Sequence, residues 1–381
     1  MKFRIILLII SLNFVANASN IRVELYSNQN IQTIMINPME GKYDFTTNKG
    51  DIYRIKKNNT IYITLTNDSI NVWDINKNLG VFKWIEFKGV SKYNTFKIEP
   101  TYPILKPRYY EGDLKISSNN NCFFIENNVP VNSYLAGVVE AESGSKAPYE
   151  FYKAQAIISR TYLFDFINRE GIDKYIITDD VNHQVYKGLE LKNQLIKQAV
   201  TNTNNLVITD TSNELITAAF FSNSGGYTAN SEDVWISKKS YLRSISDPFS
   251  LNQKNTYWKD SILISDWITF LQINNININT TDSSNLNNLY FTQEQRAKYY
   301  YYNNDSIPLK DIRKYFKLKS TWFSIKPKGN YLIIDGKGYG HAVGLSQEGA
   351  MQMAKQNYSF VDIINYYYKN VKIVNYNTIK K

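Results

Sequence analysis

Apolar and polar residues alternate through the first third of the chain. "IRVELYS", "TIYITL", "SINVWDI" and "FKWIEFKG" each repeat with period two and are parted by Asn, Gly and Lys. That is the pattern of half-buried strands joined by turns, and it predicts an all-β region from residue 20 to about 116. "GDLKISSNNNCFFIENNVPVNSYLAGVVEAE" adds two strands and a short helix, with Asn132 or Ser133 placed to cap it. The period then changes. Phe151, Ala154, Ile158, Thr161 and Tyr162 form a helical stripe that starts near Pro148, runs to about Asn168 and stops at Gly171. Lys153, Gln155 and Arg160 fall on its polar face and margins. A helix over Asn193–Thr203 leads to strands "LVITD" and "LITAAFF", which end in "SNSGGYT". "YLIIDGKGYGHAVGLSQEGAMQMAKQN" reads as strand, glycine-rich turn and helix, and "SFVDIINYYYKN" as a closing helix. The predicted fold is α+β, a β-rich N-terminal module followed by a mixed α/β domain. An Asn-rich stretch at about 273–288, "INNININTTDSSNLNN", reads as an insertion with no chemistry of its own. Tyr299–Tyr302 suggests sugar stacking, but packed or partly exposed tyrosines are the commoner outcome of such a run. No repeat at solenoid spacing is present.

Composition changes the picture at the N-terminus. "MKFRIILLIISLNFVANAS" has Lys2 and Arg4 before a short apolar run, then Ala16-Asn17-Ala18. This is the form of a signal peptide over residues 1–18, with an uncleaved anchor as the alternative. No later segment is apolar and long enough to span a bilayer, so export to the periplasm or cell envelope is expected. The formal charge is +10. In an exported protein it points away from nucleic acid and towards an anionic envelope polymer. The single cysteine, Cys122, is expected as a small buried strand residue. With His183 and His341 it offers no zinc-ligand spacing, so no metal and no cofactor are expected.

The glycine turn fails two nucleotide signatures. A dinucleotide fingerprint begun at Gly338 would need glycine at Val343, and no Gly-Lys-Ser/Thr follows for a phosphate loop. His341 sits in that turn between glycines, which let a backbone or ligand approach closely. Ser224 and Ser346 lie near glycines without matching the G-x-S-x-G elbow. Carboxylates remain. Glycoside cleavage needs a proton delivered to the leaving oxygen, and Glu140 and Glu142 are the candidates. Two residues apart on a helix, they cannot face each other as a pair, and spacing does not choose between them.

Six stretches in this order, "YLAGVVEAE", "YKAQAIISRTY", "DDVNHQVYKG", "ITAAFFSNSGGYT" with "VW" and "YL", "GKGYGHAVGLSQEGAMQMA" and "IINYYYKN", resemble the SpoIID/LytB family over about residues 108–373. To the signal peptide (1–18) and the β-rich N-terminal module (19–107) the resemblance adds a SpoIID-like catalytic domain (108–381). It also implies peptidoglycan glycan strands as substrate. Enzymatic members of the family are lytic transglycosylases of the MurNAc–GlcNAc β-1,4 bond. The glutamate of the family's G-V-V-x-x-E falls on Glu142. That residue would act alone as acid and then base, closing a 1,6-anhydro ring on MurNAc. Lys153, Gln155, Arg160, Gln184, Ser224 and His341 are the candidate substrate-binding residues. The chain departs from the family at Ser143-Gly144, where Met-Pro is common, and at Ser222 and Tyr227, where histidine is common. Ala342 stands for glycine, and only His183 remains near "QVY", so the metal of some relatives is not carried over. Two alternatives stand beside this reading: a non-catalytic enhancer of a cell-wall amidase, and a serine-type peptidoglycan hydrolase.

Overall fold

The structure, a computed structural model, describes residues 20–171, 176–180, 183–188, 193–235, 237–276 and 289–379. The expected signal peptide and the Asn-rich stretch from residue 277 lie outside them. The fold is α+β, β-rich at the N-terminus and mixed beyond. Its contacts divide the chain into two units. The first comprises the described residues up to Gly137 with those between Lys174 and Leu191. The second comprises Val138–Asp173 and the described residues from Lys192 to Ile379. Among the described residues no helix is long and apolar enough to cross a membrane.

The first unit holds a seven-stranded and a six-stranded sheet. In the larger, Asn20–Leu25 pairs with Cys122–Pro130, which pairs with Asp113–Asn119, then Trp84–Gly89, Lys42–Thr47 and Ile52–Lys56. This sheet therefore draws strands from both sides of position 107. Period-two burial is visible in Thr33–Glu40, where Ile34 and Ile36 are buried. Cys122 corrects the expectation of a buried thiol, since it is exposed. It is the first residue of its strand and follows a tight turn at Asn120 and Asn121, at the end of the ladder.

Helix α1 spans Val131–Ser143, α2 spans Tyr149–Glu170 and α3 spans Gln194–Asn202. The expected caps of α1 are displaced: Asn132 and Ser133 lie inside it, and Ser133 Oγ donates to Glu111 Oε2 at 2.6 Å. Gly137 of α1 is a glycine of necessity. A Cβ there would stand 2.5 Å from the Tyr186 ring and 2.6 Å from the Gly188 carbonyl. Within the first unit Gly137 and "QVYKG" therefore pack directly on each other.

In the second unit α2 is the central helix. From Phe151 to Thr161 all but Lys153 are buried, against α3, the strand Leu206–Thr209 and the helix Phe360–Tyr367. A helix covered all round must bury whatever polar residues it carries, which explains why Gln155 and Arg160 are not on a solvated margin. A parallel bridge joins Phe220–Phe221 to Leu345–Ser346. The turns that follow and precede these strands lie back to back: a Cβ on Gly338 would be 2.7 Å from the Asn223 carbonyl. Farther along, the sheet of Tyr257–Leu263, Tyr331–Lys337 and Phe323–Lys328 covers a core of Trp258, Trp267, Phe323, Leu332 and Ile334. Tyr300 and Tyr302 of the tyrosine run are buried and Tyr301 is exposed, as period two requires.

Candidate functional site

Glu140 and Glu142 lie in the last turn of α1. A helix advances about 100° per residue, so the two carboxyl groups leave it on different sides. Glu140 Oε1 accepts from Asn193 Nδ2 at 3.1 Å, the residue just ahead of α3. Glu142 is half-buried. Its backbone carbonyl accepts from Gln347 Nε2 at 3.3 Å. Gln347 opens the helix Gln347–Lys355, whose N-cap Ser346 accepts from the Gly349 N–H through its side chain. "GVVEAE" and "GLSQEG" thus meet at the end of α1. The connection after Glu142 is pinned as well: Tyr152 Oη donates to the Gly144 carbonyl at 2.9 Å and accepts from the Ala147 N–H at 2.9 Å.

The start of the helix Gln347–Lys355 is fixed by a buried polar knot. Asp247 Oδ2 accepts from Ser224 Oγ at 2.7 Å and its Oδ1 from Tyr367 Oη at 3.0 Å. Ser224 Oγ also lies 2.6 Å from Ser250 Oγ. Burial raises the Asp247 carboxyl above the ordinary value, and the hydroxyl bonds oppose the rise. A Cβ on Gly349 would stand 2.8 Å from Asp247 Oδ1, so this carboxylate lies against the first turn of the helix, where a negative charge is favoured. Ser224 and Ser346 are both fully buried.

His341 is half-buried in the glycine turn. Its Nδ1 accepts from the Val343 N–H at 3.1 Å, and its ring lies 5.5 Å from Phe221 and 5.4 Å from Trp235. Burial, with Arg313 and Arg296 nearby, pushes its pKa down to about 4, so the imidazole is neutral. Next to it Ala342 has φ +68°, a conformation that favours glycine.

The other sequence candidates take varied places. Arg160 is a clamp: Nη1 donates to the Thr203 and Leu206 carbonyls at 2.7 and 3.2 Å, and Nη2 to the Val200 carbonyl at 3.2 Å. Burial lowers its pKa to about 10. Gln155 is buried within α2, its Nε2 3.4 Å from Ser159 Oγ. Lys153 pairs with Glu150 at 2.5 Å and lies over the Phe360 ring. Gln184 belongs to the first unit and accepts from Tyr134 Oη at 3.5 Å. In that unit Asp179 accepts from the Tyr26 N–H at 2.8 Å and from Arg108 Nη1 at 2.7 Å, which anchors "DDVNHQVYKG". Sequence reasoning missed Gln347, Asn193 and Asp247. Only Gln347 carries a local signal, as the first helical residue after a serine cap.

The fold and site define a class: a two-unit α+β protein in which a glutamate-bearing helix end is held by the helix of a glycine turn. Residues 119–209 match the family model for SpoIID, stage II sporulation protein. Stage II sporulation protein D of Bacillus subtilis is 31% identical over 262 residues, 65% of this chain and 75% of that protein. An uncharacterized protein of Brachyspira hyodysenteriae is 27% identical over 363 residues, 93% of this chain and 96% of its own length. The amidase enhancer of Bacillus subtilis is 29% identical over 294 residues, 64% of this chain but 40% of that protein. The chain belongs to the SpoIID family.

Proposed function

We propose that this protein is exported and works in the cell wall as a lytic transglycosylase on the MurNAc–GlcNAc bond, with Glu142 as its single acid and base. The observation that carries the reading is the place of Glu142: half-buried in the last turn of α1, with its backbone carbonyl bonded to Gln347 of the glycine-turn helix. Glu140 leaves the helix on a different side and accepts from Asn193 Nδ2. A backbone fixed at this point positions the side chain it carries, as a proton donor requires.

Protonated Glu142 would donate to the glycosidic oxygen as the C1–O bond breaks. The carboxylate left behind would take the proton of the MurNAc C6 hydroxyl as that oxygen bonds to C1. Each step moves one proton, water is not consumed, and the product ends in a 1,6-anhydro ring. A positioned acid and base is worth about 10²–10⁴-fold.

Likeness to an amidase enhancer supports a second reading, in which the chain stimulates a separate amidase. The serine-hydrolase alternative is disfavoured, because Ser224 and Ser346 are fully buried. Mass spectrometry of peptidoglycan digests tests the choice. Anhydro-muropeptides support the transglycosylase. No anhydro ends, with stem peptides released faster by an amidase plus this protein than by the amidase alone, would support the enhancer.

A further inference from the structure

The positive charge of the chain is not spread evenly. Residues 309–319, "LKDIRKYFKLK", hold five cations, Lys310, Arg313, Lys314, Lys317 and Lys319, against one acid, Asp311. They form the helix Leu309–Tyr315 and the turn after it. The stretch is pinned from below. Leu309, Ile312 and Leu318 are buried in the core around Trp267, and the Phe316 ring stacks on Trp267 at 5.3 Å. Arg313 and Leu318 close the turn. The Leu318 N–H donates to the Arg313 carbonyl at 3.0 Å, and Arg313 Nε donates to the Leu318 carbonyl at 3.3 Å. The four lysines are left exposed and Arg313 half-buried.

Elsewhere, cations find acids within the chain. Lys153, Arg169, Arg243 and Lys259 each pair with one. Among the described residues none of the five in this stretch is in an ion pair. Arg313 and Lys314, in the last turn, complement the helix dipole. Lys310 does not, because it stands in the first turn, where positive charge is unfavourable. Lys310 and Lys314, four apart on one face, also repel each other. Lys317 has φ +54°, a left-handed conformation in which most of the other non-glycine residues of this chain are asparagines. A cation thus stands where asparagine would fit the backbone with less strain. Folding does not favour this arrangement, and an anionic partner would.

The placement narrows the partner. The charges are strung along a helix and its turn, which suits a ligand of repeated anions rather than a single one. Four of the five are lysines, whose compact ammonium groups lack the planar fork that matches a carboxylate and suit phosphates as point charges. A bilayer surface would also need apolar side chains to enter it, but Leu309, Ile312 and Leu318 are turned into the core.

We infer that residues 310–319 form a docking surface for a linear polymer with a phosphate in each repeat. That the polymer belongs to the envelope rests on the proposed export; the surface itself does not. Long-chain linear polyphosphate is the probe, titrated calorimetrically into the protein at several salt concentrations. The wild type is compared with Lys314→Gln/Lys317→Gln and with Lys355→Gln/Lys372→Gln, which removes the same charge from two exposed lysines outside the stretch. Melting curves verify that each variant is folded. The wild type should bind, more weakly as salt rises. Lys314→Gln/Lys317→Gln should bind about tenfold more weakly, with a slope of log affinity against log salt shallower by about 1.5. The control pair should keep the wild-type affinity to within a factor of about two. No wild-type binding at low salt, or an equal loss in the control pair, would overturn the surface. Sedimentation with phosphatidylglycerol vesicles is the last arm. Binding as tight as to polyphosphate, lost in the same variant, would assign the stretch to a membrane and overturn the polymer. None of these outcomes bears on Glu142, and a Glu142→Gln variant that still cleaves glycan would sink the proposed function and leave the binding result intact.

Discussion

His341 is kept neutral by burial first and by the charges of Arg313 and Arg296 second. Its pKa falls from 6.5 to about 4 on folding. The unfolded chain therefore binds the extra proton first as pH drops. The stability this histidine contributes is present above pH 6.5 and is lost as pH falls towards 4. Replacing it with Asn keeps an acceptor for the Val343 N–H but removes the titration. Denaturation curves between pH 7 and 4 should show a shallower loss of stability in His341→Asn than in the wild type. Equal slopes would mean that the imidazole is not held neutral. Gln347 offers a second test at this scale. Gln347→Leu removes the bond to the Glu142 carbonyl, so glycan cleavage should fall about tenfold or more while melting changes little. An unchanged rate would show that the bond does not position the acid. Of these residues the sequence marked His341 by its glycines and Glu142 by its motif. Gln347 could not be paired with Glu142, because the contact spans 205 positions and no local pattern encodes it.

Arg160 shows how an element can hide its polar residues. Its two terminal nitrogens serve three carbonyls at and beyond the C-terminal end of α3, where helix carbonyls lack partners of their own. Arg160→Met should remove these three buried bonds, leaving the Thr203 carbonyl the Leu206 N–H and the Val200 carbonyl the Thr203 hydroxyl, and cost about 1–3 kcal/mol. Chemical denaturation measures this directly, and a cost below about 1 kcal/mol would contradict the clamp. Most elements were legible, because period two and period 3.6 are local properties. The closing helix follows the pattern to its capping box, where Ser359 and Asp362 bond reciprocally. The polar face of α2 was not legible. A stripe of apolar residues predicts one buried side, but α3, Leu206–Thr209 and Phe360–Tyr367 cover α2 on several. The strand predicted for "LITAAFF" shrinks to Phe220–Phe221, since its partner Leu345–Ser346 is equally short.

At the scale of the molecule, stretches far apart in sequence gather by close backbone approach. Gly137 admits Tyr186 and Gly188 in the first unit, and in the second the turn at Gly338 rests on Asn223. The end of α1, the knot at Asp247 and the helix Gln347–Lys355 then form one connected frame within the second unit. The frame fixes the backbone that carries Glu142 against the start of the glycine-turn helix, and the account stands on that placement. The most direct measurement compares the wild type, Glu142→Gln and Glu140→Gln on purified glycan strands, with anhydro-muropeptide ends counted by mass spectrometry and folding verified by melting. Glu142→Gln should remain folded and lose about 10²–10⁴-fold in rate, while Glu140→Gln keeps most of it. Near-wild-type cleavage by Glu142→Gln, or loss confined to Glu140→Gln, would contradict the account.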